Sequence, residues 1–206
     1  MRLLNLLFND PVAFVLAVVP FIYSVVIHEV AHGWVAYRMG DPTAKWMGRL
    51  SLNPLKHLDP FGTLMLFLVG FGWARPVPIN LNNIPDRRKG LIFVSAAGIT
   101  ANILFALVAL LVARLFAIPP MGRLGFIYYV AYINITLASL NLIPLPPLDG
   151  SKILMGFVSG RVQYLLARVE PYGIFILIGL LYLGLLDPLI GFFQGIILSL
   201  IRIVLP

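Results

Sequence analysis

Long apolar runs alternate with short polar stretches along this chain, and the run lengths set the first expectations. Residues 11–39 form one largely apolar run. As a helix rising ~1.5 Å per residue it is ~43 Å long, enough to cross a bilayer with tilt. Pro20 falls inside it and predicts a kink. A polar stretch, 40–60, follows and carries Lys45, Arg49 and Lys56. Residues 61–72 are apolar again, but this run is too short to cross and fits a re-entrant or buried segment. Residues 73–80 read WARPVPIN. The prolines forbid a regular helix and predict an extended edge segment.

A second span is predicted over 91–118, behind the basic run Arg87-Arg88-Lys89. Pro119, Pro120 and Gly122 make a turn. A third span covers 125–143 and breaks at Pro144, Pro146 and Pro147. A polar connector with Lys152, Arg161 and Arg168 comes next. Two further runs, 172–186 and 189–205, form a hairpin around Asp187-Pro188. No internal repeat or low-complexity tract interrupts the pattern. The expected fold is an all-α polytopic membrane protein in one domain. It has about five transmembrane helices plus a short re-entrant or extended segment near 61–80.

Composition agrees with the pattern. Of 206 residues, 60% are hydrophobic and 11% are charged, against about 25% charged in soluble domains. No cysteine is present, which excludes disulfides and thiolate metal sites. The net charge of +7 raises nucleic acid as a partner. The basic residues are scattered over short loops without interleaved aromatics, so membrane topology accounts for them better. Residues 38–90 hold eight Lys/Arg, 144–170 hold three, and Arg202 lies near the end. Five crossings with the N-terminus outside put all twelve on the cytoplasmic side, against Arg2, Arg114 and Arg123 on the other. No A-x-A-like cleavage site follows the first run, so it reads as a retained span rather than a signal peptide.

The end of that first span carries the chemistry. His28-Glu29-Val30-Ala31-His32 is an H-E-x-x-H motif. At helical spacing the two histidines share a face and can hold one zinc ion, with the glutamate as base. If Arg38 marks the interface, His32 and His28 lie ~9 and ~15 Å deep. Each charge there costs roughly 2.5–3.5 kcal/mol on insertion scales. Three ionisable groups in five residues need a reason that pairing among themselves supplies poorly.

Zinc needs a third protein ligand, with water as the fourth. His57 is the only other histidine, and the carboxylates are Asp10, Asp41, Asp59, Asp86, Asp149, Glu170 and Asp187 beside Glu29. Asp149 stands out, because it follows a proline-broken stretch near the same cytoplasmic side and precedes Gly150. By spacing alone it reads equally as a ligand or as a helix N-cap.

The H-E-x-x-H motif at 28–32, together with Asn141-Leu-Ile-Pro-Leu-Pro-Pro-Leu-Asp149-Gly150, resembles the site-2 protease family of intramembrane zinc metalloproteases. Residues 48–63, GRLSLNPLKHLDPFGT, and 70–80, GFGWARPVPIN, resemble its compact branch without PDZ or nucleotide-sensing domains. The resemblance covers about 11–160, leaving 170–206 as a C-terminal hairpin. It implies one zinc held by His28, His32 and Asp149, with Glu29 as general base. It also implies that Asn141, in the loop before the aspartate, helps to orient substrate. The family often carries Gly-Pro and then Asn in its middle span; here Gly98-Ile-Thr-Ala-Asn102 lacks the proline.

His57 reads either as a contact to substrate or a metal ligand, or as a histidine that fixes a proline-rich turn. Gly191 and Gly195 have spacing that permits close helix contact. The resulting reading is an enzyme that cleaves single-span membrane proteins or peptides within the bilayer, without nucleic acid. A metal transporter and an inactive membrane scaffold are the alternatives. Transport does not require a base at the second motif position, and intact His, Glu and Asp speak against the scaffold.

Overall fold

The computed structural model describes residues 2–69 and 72–205. Gly70 and Phe71, within the predicted short segment and the 70–80 motif, lie outside the described residues. A short helix that the run lengths did not announce, α1 (Arg2–Asn9), leads into α2 (Pro11–Arg38). Asp10 caps α2 by accepting from Ala13 N at 3.0 Å, and Pro11 sits where a missing N–H costs nothing. The helix runs unbroken through Pro20, whose carbonyl accepts from Ser24 Oγ at 2.7 Å.

Gly40, at φ 111°, turns the chain beyond α2. Asp41 follows, fully buried. Its carboxylate accepts from Thr43, from Asn80 N at 2.7 Å and from Asn83 Nδ2 at 2.8 Å. Burial pushes this carboxyl up, but the donors from Thr43, Asn80 and Asn83 outweigh it and hold it below the usual carboxylate range. The residue therefore clamps the end of the 73–80 segment to the turn after α2.

The short α3 (Thr43–Trp46) precedes α4 (Pro60–Val69). Leu58 and Ala74 form an antiparallel bridge on either side of α4, and Arg75 N donates to His57 O at 2.8 Å. The chain thus enters and leaves this apolar excursion at one place, as a re-entrant segment must. Residues 75–80 are not helical, as their prolines predict.

The central helix is α5 (Arg87–Leu115), capped by Asp86 accepting from Lys89 N. It packs against α2, α6 (Phe126–Leu142) and α7 (Asp149–Phe157). Small residues allow close approach: Ala106, Ala109, Ala131 and Ala138 are buried with Val130, Ile197 and Ile201. The last two come from α10 (Asp187–Val204), which packs on α6.

The predicted connector departs from expectation. Residues 161–169 are helical (α8, Arg161–Val169) and continue through a 3-10 turn into α9 (Gly173–Tyr182). Pro171 falls in the first turn of that 3-10 segment, where a proline needs no donor, so it does not break the run. Among the described residues, four helical stretches are long and apolar enough to cross a membrane: 11–38, 87–115, 161–182 and 187–204. The shorter α6 is also apolar. A Cβ on Gly191 or Gly195 would meet nothing within 4 Å, so that pair makes no close contact among the described residues.

Candidate metal centre

Three atoms from two distant parts of the chain converge beside α5. His28 Nε2 and His32 Nε2 lie 3.0 Å apart, and each is 3.1 Å from Asp149 Oδ2. All three residues are buried. Zinc at ~2.0–2.1 Å from tetrahedral ligands needs ligand–ligand edges of ~3.3–3.4 Å, close to this triangle.

The hydrogen-bond partners fix which nitrogens carry protons. His28 Nδ1 lies 2.6 Å from Asn102 Oδ1, and His32 Nδ1 lies 2.6 Å from the Val94 carbonyl. Both partners accept, so each neutral ring is protonated at Nδ1 and presents its Nε2 lone pair to the triangle. Two lone pairs and a carboxylate oxygen then face one another. Asp149 Oδ2 is buried and has no hydrogen-bond partner. That donor set fits a dication and is otherwise repulsive.

The partners extend into a polar network inside the helix bundle. Asn102 Nδ2 donates to Ser24 O at 3.2 Å and Asn134 Oδ1 at 2.7 Å. Asn134 Nδ2 donates to Ser24 Oγ and Val130 O, both at 2.8 Å. Helices α2, α5 and α6 are thus tied together directly behind His28. Gly98 makes the approach of α5 possible: a Cβ there would lie 2.5 Å from His32 Nε2 and 2.6 Å from His28 Cε1.

Asp149 is the first residue of α7. The N-cap is Leu148, which makes no side-chain cap bond, so the cap reading of Asp149 fails. Its carboxylate faces the histidines instead, at a helix end that favours negative charge. A Cβ on Gly150 would come within 2.5 Å of the Leu142 and Ile143 carbonyls. Only glycine lets α7 begin so close to the end of α6.

Glu29 is half-buried, and its Oε2 accepts from Val77 N at 2.9 Å. The Glu29 carboxylate is therefore held by the proline-rich segment. That segment has few donors left for a partner strand. Arg75 N–H is bound to His57 O, Val77 N–H to Glu29, and Pro76 and Pro78 have none. Arg75 O already accepts from Arg49 Nη2 at 2.7 Å, so beyond it the segment offers carbonyls and not the alternating ladder of an added strand.

The other sequence candidates stand elsewhere. His57 is buried in its loop, with Nε2 2.8 Å from Ser51 O, and is not among the three converging residues. Asn141 lies in the last turn of α6 rather than in the following loop, because α6 continues to Leu142; its Nδ2 donates to Leu137 O. Asp10 and Asp86 cap helices, Asp41 clamps a turn, and Asp59 accepts from Gly62 N. Sequence reasoning gave no role to Asn102, Asn134 or Ser24. The available signal was the cost of a polar side chain in mid-span.

A family model described as Peptidase family M50 matches residues 16–123 and 117–184. The chain is 40% identical over 164 residues to YwhC of Bacillus subtilis, named a candidate zinc metalloprotease, covering 76% of this chain and 75% of that protein. It is 32% identical over 191 residues to Rip2 of Mycobacterium tuberculosis, likewise named, covering 89% and 72%. It is 26% identical over 157 residues to the zinc metalloprotease MJ0392 of Methanocaldococcus jannaschii, covering 76% and 38%. No solved structure matches the chain.

Proposed function

The chain belongs to peptidase family M50, and on that premise we propose that it is an intramembrane zinc metalloprotease acting on single-span membrane substrates. The observation that carries the reading is the buried triangle of His28 Nε2, His32 Nε2 and Asp149 Oδ2, with both imidazole Nδ1 protons directed away from it. These three residues would hold one zinc ion. Bound there, zinc supplies Lewis-acid polarisation of a water molecule and of the substrate carbonyl.

The chain's own groups do the rest. Glu29 takes the proton of the attacking water and returns it to the leaving amine. Val77 N–H holds one carboxylate oxygen, which leaves the other for the proton. A substrate helix must unwind first, since its amides are bonded internally. Its freed N–H groups then donate to the carbonyls of Pro76 and Pro78, which alternate with the Val77 N–H bound to Glu29, a partial form of strand addition. Asn141, at the end of α6, is proposed to orient the substrate chain.

The distribution of basic residues supports an active site towards the cytoplasmic side, with the N-terminus outside and the C-terminus inside. Co-expression with candidate single-span substrates tests the function. Wild type should cleave, and Glu29→Gln should not, although it keeps its metal. Cleavage by Glu29→Gln at the wild-type rate would contradict the mechanism.

A further inference from the structure

A buried cation lies beside the segment that holds Glu29. Arg49 is 7% exposed, and among the described residues its guanidinium makes no ion pair. Its Nε is buried without a hydrogen-bond partner. Burial first, and then the neighbouring Arg75 charge, hold its pKa below the usual range, while the Glu29 carboxylate opposes both. A guanidinium keeps its proton all the same, so the charge stays and its burial is costly.

Arg49 Nη2 donates to the Arg75 carbonyl at 2.7 Å, and Arg75 N–H donates to His57 O at 2.8 Å. Both backbone groups of Arg75 are thus taken by the 49–57 loop, which is itself cross-tied by His57 Nε2, 2.8 Å from Ser51 O. Two residues on, Val77 N–H donates to Glu29 Oε2 at 2.9 Å. Peptide groups are planar, so only φ and ψ of Pro76 separate the Arg75 carbonyl from the Val77 N–H. The proline ring locks φ near about −65°, which leaves one soft torsion between them. The loop also reaches the helix that carries Glu29. A Cβ on Gly33, one turn beyond Glu29, would lie 2.7 Å from Leu50 Cδ2 and 2.9 Å from Val77 Cγ1.

We propose that Arg49 is a positioning residue for the base: by holding the Arg75 carbonyl it sets the Pro76–Val77 peptide whose N–H holds Glu29. The proposal rests on the reading of the chain as a protease. Losing this bond does not release the segment, which stays anchored at Arg75 N–H and, through Asn80 N, at Asp41. It lets the Arg75–Pro76 peptide rotate, and the Val77 N–H with it. Glu29 then loses its alignment while the segment remains in place for substrate.

The test compares wild type, Arg49→Met and Arg49→Lys, each as the full chain in lipid nanodiscs. Methionine keeps an apolar stem and removes the donor, whereas lysine restores one donor and the charge. The bond to Arg75 O is single rather than bidentate, so lysine can make it. On a cleaved single-span peptide, Arg49→Met should lose about ten- to a hundredfold in kcat, with KM within about threefold. Arg49→Lys should recover most of that loss, and both variants should carry the wild-type amount of zinc. Amide exchange, read by mass spectrometry, needs no cleavage. Pro76 and Pro78 have no N–H, so between Arg75 and Ile79 Val77 alone reports. Its exchange should quicken by about tenfold in Arg49→Met, with α5 unchanged. Wild-type kcat, or wild-type exchange at Val77, in Arg49→Met overturns the proposal. So does a loss that lysine does not repair, or one that comes with lost zinc or faster exchange in α5, since each marks general damage to the fold. A wild type that cleaves nothing contradicts the protease reading instead, and exchange at Val77 then decides the role of Arg49 alone.

Discussion

The Nδ1 of His28 donates to Oδ1 of Asn102 across the α2–α5 interface, at 2.6 Å. This bond fixes the ring's tautomer and points Nε2 at His32 and Asp149. Asn102 is itself held by Ser24 and Asn134, so its orientation is set by groups on two other helices.

Asn102→Ala removes the acceptor for His28 and leaves Asn134 short of one partner. Loss of such an outer contact typically costs ten- to a hundredfold in metal affinity. Zinc affinity of the purified variant, measured by competition with a chelator, should fall within about that range. Wild-type affinity would mean that the neighbouring helix packing alone orients His28.

Gly98 lets α5 lie directly against both imidazoles. Gly98→Ala places a methyl group 2.5 Å from His32 Nε2, so a ring or the helix must move. A displacement near 1 Å can cost about a hundredfold in rate. Cleavage should fall by that order while Gly191→Ala, whose new Cβ meets nothing, stays at the wild-type rate. Equal activity of the two variants would contradict this geometry.

Much of this was legible in advance, for reasons that can be named. The H-E-x-x-H spacing is a local property of one helix, so His28 and His32 were readable as a pair. Asp149 required the path of the chain: it became distinguishable from an N-cap only once α7 was seen to start at Asp149, with Leu148 before it. Asn102 and Val77 were not assigned because their roles depend on which elements pack together. Run lengths marked the spans well, but Pro171 and the polar residues around it hid the continuity of α8 with α9. The α4 excursion was recognised from its length alone.

The lack of cysteine allows a clean test of orientation. Single cysteines at Thr43, Ser159 and Met121 are exposed in turn to an impermeant thiol reagent on whole cells. Met121→Cys should label directly, while Thr43→Cys and Ser159→Cys should label only after permeabilisation. The reverse pattern would place the metal centre near the outer face. Because Met121 sits in a short turn, Thr43 and Ser159 decide the outcome.

The central claim is that two histidines and one aspartate hold a single zinc ion. Metal content per chain, measured by elemental analysis at neutral pH, tests it most directly. Wild type and Glu29→Gln should each carry one zinc, because Glu29 is proposed as the base and is not among the three converging residues. Asp149→Asn, nearly the same size but without the anionic ligand, should carry far less at equal protein recovery. Wild-type zinc content in Asp149→Asn, or no zinc in the wild-type protein, would contradict the account.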